Sequence, residues 1–560
     1  MRAKNKVLRT GFFVFVLVAL LAPAARWMDL NRETANDAEH MVEPMLRLVQ
    51  EGPVVRAQIP VEPVADIEEI WAIEDTREEA EEPLIAGMRN GEEVLGYDSE
   101  SGTYYCTLGM ETGDEWPELE LFAAGNEEGL RIVWYDDYTY DYPGDSIRDG
   151  WRYELMAYTD THYQYIGMVF TGLPLVTIHV EEGTDIGEEY VPARAGIAAA
   201  GYEPLNAGAW VHTRGGGYDH GIDKLSYRLE FHGIADNGRD EKTQVSPLGM
   251  PADTDWLLIA NCVDVTTLCN HLCWELWQDM HAQRPMPGML ESRMVELFVG
   301  DQYMGVYQLM QRYRVEDEII RMGGNPQESY VYRVIAETNI EKRPAVRIGD
   351  NTFELRHAPQ GVTGSRAFEK VKVYTALGQI GQTITDEEFT ELVLKYVDID
   401  ALMSYYVFAQ IVDFNSDNIN NNMFIWAIGK DGQTRMVLSP WDMDSGLPVG
   451  DPQEDPRLME LNLLMYMPRH ILDLNLGNSR EIMWGYWNEM RQTLMTEERI
   501  YEWLESWEDY MNASGAYLRD TEKWRGGAQE LNLGEIAANL VASLSAMEPV
   551  LEYMWPLDAQ

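Results

Sequence analysis

The sequence predicts an α+β protein of two lobes, β-rich first and helical second, with a small β-rich module ahead of them. Three observations carry that prediction. Residues 224–231 alternate strictly, with Leu225, Tyr227, Leu229 and Phe231 on one face and Lys224, Ser226, Arg228 and Glu230 on the other. The apolar runs 295–299 and 303–310 flank Gly300-Asp301, a hairpin signal. After about residue 386 the apolar spacing shifts to near 3.6, in 386–396, 399–412 and 498–510. Strands first and helices second mark the α+β class.

The chain has 560 residues, too many for one ordinary domain. Arg2, Lys4, Lys6 and Arg9 precede an uncharged apolar run at 11–21, and Ala22-Pro23-Ala24 offers a small-residue cleavage site. Residues 1–28 therefore read as a signal peptide or signal anchor, and the expected location is extracytoplasmic: secreted or at the cell surface. Membrane contact is expected only through this segment, if it stays uncleaved. Residues 29–85, rich in Glu, Asp, Pro and Ala, read as an acidic stalk or linker. Tyr- and Thr-rich runs with Asn90-Gly91 and Ser101-Gly102 turns make 86–170 a small antiparallel β module. The main domain spans 171–530, and 531–560 is a C-terminal helical extension.

Composition narrows the function classes. Lys and Arg number 43 against 94 Asp and Glu, a net charge of −51. Such a chain repels nucleic-acid phosphates and anionic headgroups, and it favours basic proteins and divalent cations. The same charge also serves solubility alone. The four cysteines, Cys106, Cys262, Cys269 and Cys273, are too few for a disulfide framework and form no Cys-x-x-Cys pair. His212, His220 and His232 lack the carboxylate support of a metal site. Gly-x-Ser-x-Gly and His-Glu-x-x-His are absent from the sequence, so hydrolase and zincin readings lack their markers.

The densest polar cluster is Asp413-Phe-Asn415-Ser-Asp417-Asn418-Ile-Asn420-Asn421-Asn422. It opens like a calcium loop, but Asn418 and Phe424 stand where that loop needs Gly and a bidentate Glu. Phosphoryl transfer fits better. It needs an Asp at the nucleophile's proton, with an Asn and a further Asp on Mg²⁺. Asp417 and Asn422 have the kinase catalytic-loop spacing. After a turn at Lys430-Asp431-Gly432, Pro440-Trp441-Asp442-Met443-Asp444 supplies metal carboxylates. The same residues also read as an Asx-rich turn and a capping aspartate.

These two motifs together resemble the signature pair of the CotH kinase family, the spore coat protein H-like atypical protein kinases. Four further stretches are similar to that family in order. They are Arg214-Gly215-Gly216-Gly217 with the strand 224–231; Trp256 to Ala260 with Asp264 and 270–276, similar to its first long helix; Val295 to Tyr307, its central hairpin; and Arg519-Asp520 with Trp524, its closing helix.

The resemblance implies a two-lobed, atypical protein-kinase-like domain. It would use ATP and Mg²⁺ (or Mn²⁺) to phosphorylate Ser or Thr of a protein substrate, basic and Ser/Thr-rich by charge. It implies Asp417 as the catalytic carboxylate, Asn422 and Asp442 as metal ligands with Asp444 as a substitute, and Lys224 on the nucleotide phosphates. Arg214 and the backbone around Gly216 would assist, and Glu275 would partner Lys224. Lys224 also reads as a surface lysine opening a strand, and Glu275 as part of a solvated helix face. Two positions depart from the family: Gln311 replaces an acidic residue, and Cys269 stands where Arg often precedes the helix Asn. Two alternatives stay open: AMP transfer on the same fold, and a non-catalytic surface, adhesion or carbohydrate-associated binding protein.

Overall fold

The computed structural model describes residues 67–557, apart from 111–116, 118, 125–128, 135–139, 141, 215–222, 235–238, 336–343, 349–350, 379–383, 413–422 and 449–465. The N-terminal basic and apolar segment and most of the stalk thus lie outside the described residues. No described helix is long and apolar enough to cross a membrane.

Alternation at 225–231 does produce a strand, and that strand belongs to a closed barrel. The barrel comprises β1 (Leu175–Val180), β2 (Val191–Ala198), β3 (Leu205–Arg214), β4 (Ser226–Ile234), β5 (Asp255–Ile259), β6 (Ser292–Val299) and β7 (Gln302–Gln311). The order is β3-β2-β1-β6-β7-β5-β4, and β4 pairs back onto β3. Only β1 and β6 run parallel; the other barrel pairs are antiparallel. Closure removes the exposed edges that an open sheet would present. Small residues, Ala193, Ala195 and Ala209, share the interior with Trp256, Phe231 and Tyr307. Mixing sizes in this way fills a narrow barrel.

Residues 256–259 of the run 256–260, expected with the first long helix, lie instead in β5. Trp256 and Leu258 fill the barrel while Leu257 faces the helical core, the alternation of a strand with two buried faces. The helix itself is Cys269–Met280.

A second sheet lies between barrel and helices: β8 (Tyr330–Ile335), β9 (Ala345–Ile348), β10 (Asn351–His357), β11 (Met423–Lys430) and β12 (Gln433–Pro440), in the order β9-β10-β8-β11-β12. The expected hairpin forms, with Asp431 (φ 53°) and Gly432 (φ 76°) at its turn. Two left-handed residues match the twist of paired strands, and Asp-Gly adopts them at little cost.

The helical half follows its local signals. Thr385 and Glu388 form a capping box on Asp386–Tyr396, and the Asp398 side chain caps Ile399–Ile411. The latter helix is buried over most of its length, which its continuously apolar sequence requires. The expected C-terminal extension is no appendage. Helix Gly534–Met554 buries Leu540, Leu544 and Leu551 in the main core, and Trp484 donates to the Trp555 carbonyl at 2.8 Å.

The N-terminal module is mixed rather than antiparallel. Strand Thr103–Thr107 runs parallel to His162–Thr171, as does the short Glu78–Glu79. Long connections permit such crossovers. The module is joined firmly to the barrel: Ser99 donates to Asp301 O at 2.9 Å, and Tyr105 stacks on Tyr303 with centroids 5.4 Å apart.

Candidate functional site

Hairpin β11–β12 ends at Pro440 and delivers the loop 441–447. Asp442 takes a left-handed backbone (φ 56°), a conformation Asp tolerates better than most residues. The turn buries its neighbours, Trp441 and Met443, and leaves both carboxylates half-exposed. Trp441 packs against Tyr313 and Phe424, with centroids 5.4 and 5.6 Å away. Gly446 permits close approach to helix Cys269–Met280, since a Cβ there would lie 2.6 Å from the Cys273 sulfur.

A chain of buried amides anchors this loop to the barrel. Met443 N donates to Asn270 Oδ1 at 2.9 Å, Asn270 Nδ2 to Gln308 Oε1 at 2.7 Å, and Gln308 Nε2 to Ser292 Oγ at 3.0 Å. Gln308 lies on β7 and Ser292 on β6, so barrel geometry is passed directly to the aspartates. The family resemblance singled out the helix carrying Asn270, but the role of Asn270 needs three elements at once.

Asp417 and Asn422 fall in 413–422, outside the described residues, as does Gly216. The residues that flank 413–422, Val412 and Met423, lie beside the loop. Leu447 N donates to Val412 O at 2.7 Å, and Met423 pairs with Pro440 across the β11–β12 ladder.

The electrostatics single out the two aspartates. Burial first, and the Asp442 carboxylate second, push the Asp444 carboxyl up to about 7. Two like charges held together are a natural cation site. The described residues contain no group of three His, Cys, Asp or Glu able to hold a metal. Two carboxylates suit Mg²⁺, which keeps several waters and needs few protein ligands. Asp444 and Lys224 both act electrostatically on Cys262, whose thiol burial pushes up, so the lysine and the loop border one region.

Lys224 itself is not a surface lysine. Its ammonium donates to Asp520 Oδ1 at 2.6 Å and Val306 O at 2.8 Å, and the side chains are 2% and 1% exposed. Burial pulls its pKa down, while Asp520 opposes that shift. The expected partner, Glu275, is elsewhere: its Oε2 accepts from Trp503 at 2.6 Å and Trp507 at 2.9 Å. Five residues at 3.6 per turn place Glu275 about 140° around the helix from Asn270, away from the loop. Asp520 comes from helix Ala516–Arg525 and also accepts from Val306 N at 2.8 Å. Gly305 (φ 90°) makes room, since a Cβ there would overlap the Asp520 carboxylate. The Arg519-Asp520 pair was legible as a motif; its partners were not.

Arg214, at the end of β3, reaches the loop, with its guanidinium carbon 5.9 Å from the Trp441 ring centroid. The departures Gln311 and Cys269 both serve local structure. Gln311 accepts from Glu291 N at 3.0 Å and donates to Pro251 O at 3.2 Å; Cys269 N donates to Asp264 Oδ2 at 2.7 Å at the helix start. His232 sits between Glu230 Oε1 (2.9 Å) and Asp240 Oδ1 (2.8 Å) in a half-buried network.

No curated protein matches the chain. The family model described as CotH kinase protein matches residues 211–548, which spans β4 to β12, the 441–447 loop and most of the C-terminal helix. That match covers well over half of the chain, and the protein belongs to the CotH kinase protein family.

Proposed function

We propose that the protein is an exported, metal-dependent protein kinase with a two-lobed kinase-like domain. It transfers the ATP γ-phosphate to Ser or Thr hydroxyls of a basic protein. The observation that carries this reading is the Asp442–Asp444 loop, held by Asn270, bordered by Val412 and Met423, which flank 413–422, and sharing one electrostatic region with Lys224. The resident ion would be Mg²⁺ or Mn²⁺, which supplies charge neutralisation on the phosphates. Asp442, Asn422 and, as a further oxygen ligand, Asp444 would hold it. Asp417 accepts the proton of the acceptor hydroxyl. Lys224 is kept charged and positioned by Asp520, the part that a helix acid plays for the phosphate-binding lysine of protein kinases. Arg214 and the backbone at Gly216 border the phosphates.

The test is transfer of labelled γ-phosphate from ATP with Mg²⁺ or Mn²⁺ to basic, Ser/Thr-rich proteins. Incorporation that Asp417→Ala abolishes is the expected result. Equal inertness of wild type and variant across such substrates would sink the reading.

A further inference from the structure

Trp441 lines a cleft of about 210 Å³. Five arginines reach it: Arg214 at the end of β3, Arg228 on β4, Arg312 just after β7, Arg333 on β8 and Arg356 on β10. In a chain with 94 acidic residues, no carboxylate lines it among the described residues. Acids lie behind the wall and orient the guanidiniums. Asp255 accepts from Arg228 and, at 3.3 Å, from Arg312, while Glu354 accepts from Arg356 at 2.7 Å. The Nε atoms of Arg333 and Arg356 are buried with no hydrogen-bond partner among the described residues, and the Arg333 guanidinium carbon lies 5.7 Å from the Trp441 ring centroid.

A wall of guanidiniums offers donors only. It suits a group that only accepts, and the planar guanidinium fork matches phosphate oxygens two at a time. The volume is below the roughly 300–1,000 Å³ of sites that enclose a drug-sized ligand. It is sized for one end of a ligand. That end lies next to Asp442, because Trp441 forms part of the wall and Asp442 is the following residue.

We propose that this arginine cleft is a phosphate-ester site, holding the anionic end of a ligand that extends towards Asp442. Its nucleotide arm rests on the kinase reading and deepens it; anion binding by the cleft stands apart from that reading. Two sources share the chemistry: the terminal phosphates of a nucleotide, and a phosphoryl group already carried by the acceptor protein.

The probe is inorganic pyrophosphate, titrated into the full chain at low salt with EDTA present and followed by calorimetry. Saturable, salt-sensitive binding is expected. Arg333→Gln should weaken it ~10-fold or more, the loss of a charge-assisted contact. The melting temperature of each variant without ligand separates lost binding from lost folding, and Arg356→Gln provides a second variant. Competition then assigns the source. Displacement by metal-free ATP identifies the nucleotide, and displacement by a phosphoserine peptide but not its unmodified form identifies the acceptor. Absence of saturable binding, equal affinity in well-folded Arg333→Gln, or displacement by neither competitor overturns the proposal. A protein that binds pyrophosphate yet transfers no phosphate would sink the kinase reading and leave the cleft standing.

Discussion

Two regions of the molecule concentrate charge, and they handle it in opposite ways. Where the barrel meets helix Ala516–Arg525, opposite charges are buried in pairs. Lys224 meets Asp520, and Arg519 grips Glu296 through Nε at 3.0 Å and Nη2 at 2.9 Å. At the 441–447 loop burial first, and the neighbouring Asp442 carboxylate second, raise the Asp444 carboxyl. Paired buried charges fix geometry; like charges held together wait for a ligand. The contrast separates scaffold from site in a chain whose overall charge would otherwise obscure both.

The comparison breaks most sharply at the catalytic carboxylate. Asp417→Ala should lower γ-phosphate transfer by roughly 10²–10⁴-fold, the usual contribution of a positioned base, with an unchanged melting temperature. A parallel loss of stability would move 413–422 from site to scaffold.

Asp520→Ala should cost stability as well as transfer, because Asp520 holds Lys224. It strands the Lys224 ammonium in the interior, and breaking one partner of a buried pair costs about 3–5 kcal/mol. Denaturant unfolding measures it. The double variant Lys224→Met/Asp520→Leu should recover much of that loss, because an apolar pair replaces the ions. A double variant no better than the single would show that the charges stabilise the seam by themselves.

The module supplies a buried acid without a cation. Glu93 accepts from Thr107 N at 3.0 Å, yet burial pushes its carboxyl from 4.5 up to about 7. The folded state therefore holds the proton more tightly than the unfolded chain. Its contribution is complete below about pH 4.5 and is lost as pH rises through 7. Glu93→Gln keeps an acceptor and removes the titration. It should raise stability at pH 8 by up to about 3 kcal/mol relative to its effect at pH 4, read from melts across that range. A difference independent of pH would place the charge elsewhere.

The smallest effect is expected at Asn270→Ala, which frees the loop from the barrel. Mn²⁺ affinity should fall roughly 10–100-fold, as when groups behind metal ligands are removed. Unchanged affinity would show that the loop holds its shape without Asn270.

Several parts of this molecule were legible locally. The alternation at 225–231, the Asp431-Gly432 turn and the helix at 386–396 each use a few adjacent residues, and each forms where expected. The aspartates of the Trp441-Asp442-Met443-Asp444 motif stand side by side as their spacing implies. Other features were out of reach of local pattern. Trp256 to Ala260 reads as an apolar run with no period of its own, and only its place between β4 and β7 makes 256–259 a strand. Glu275 was the natural partner for Lys224 by motif, but helix rotation turned it to two tryptophans.

By itself the sequence determined the α+β order, the hairpins, the caps and the acidic pair, because each depends on backbone geometry over a few residues. The tertiary structure alone decided barrel closure, the Lys224–Asp520 pair across 296 positions and the convergence of five arginines from separate segments. Those depend on which distant surfaces meet when the core closes, and no local periodicity records that.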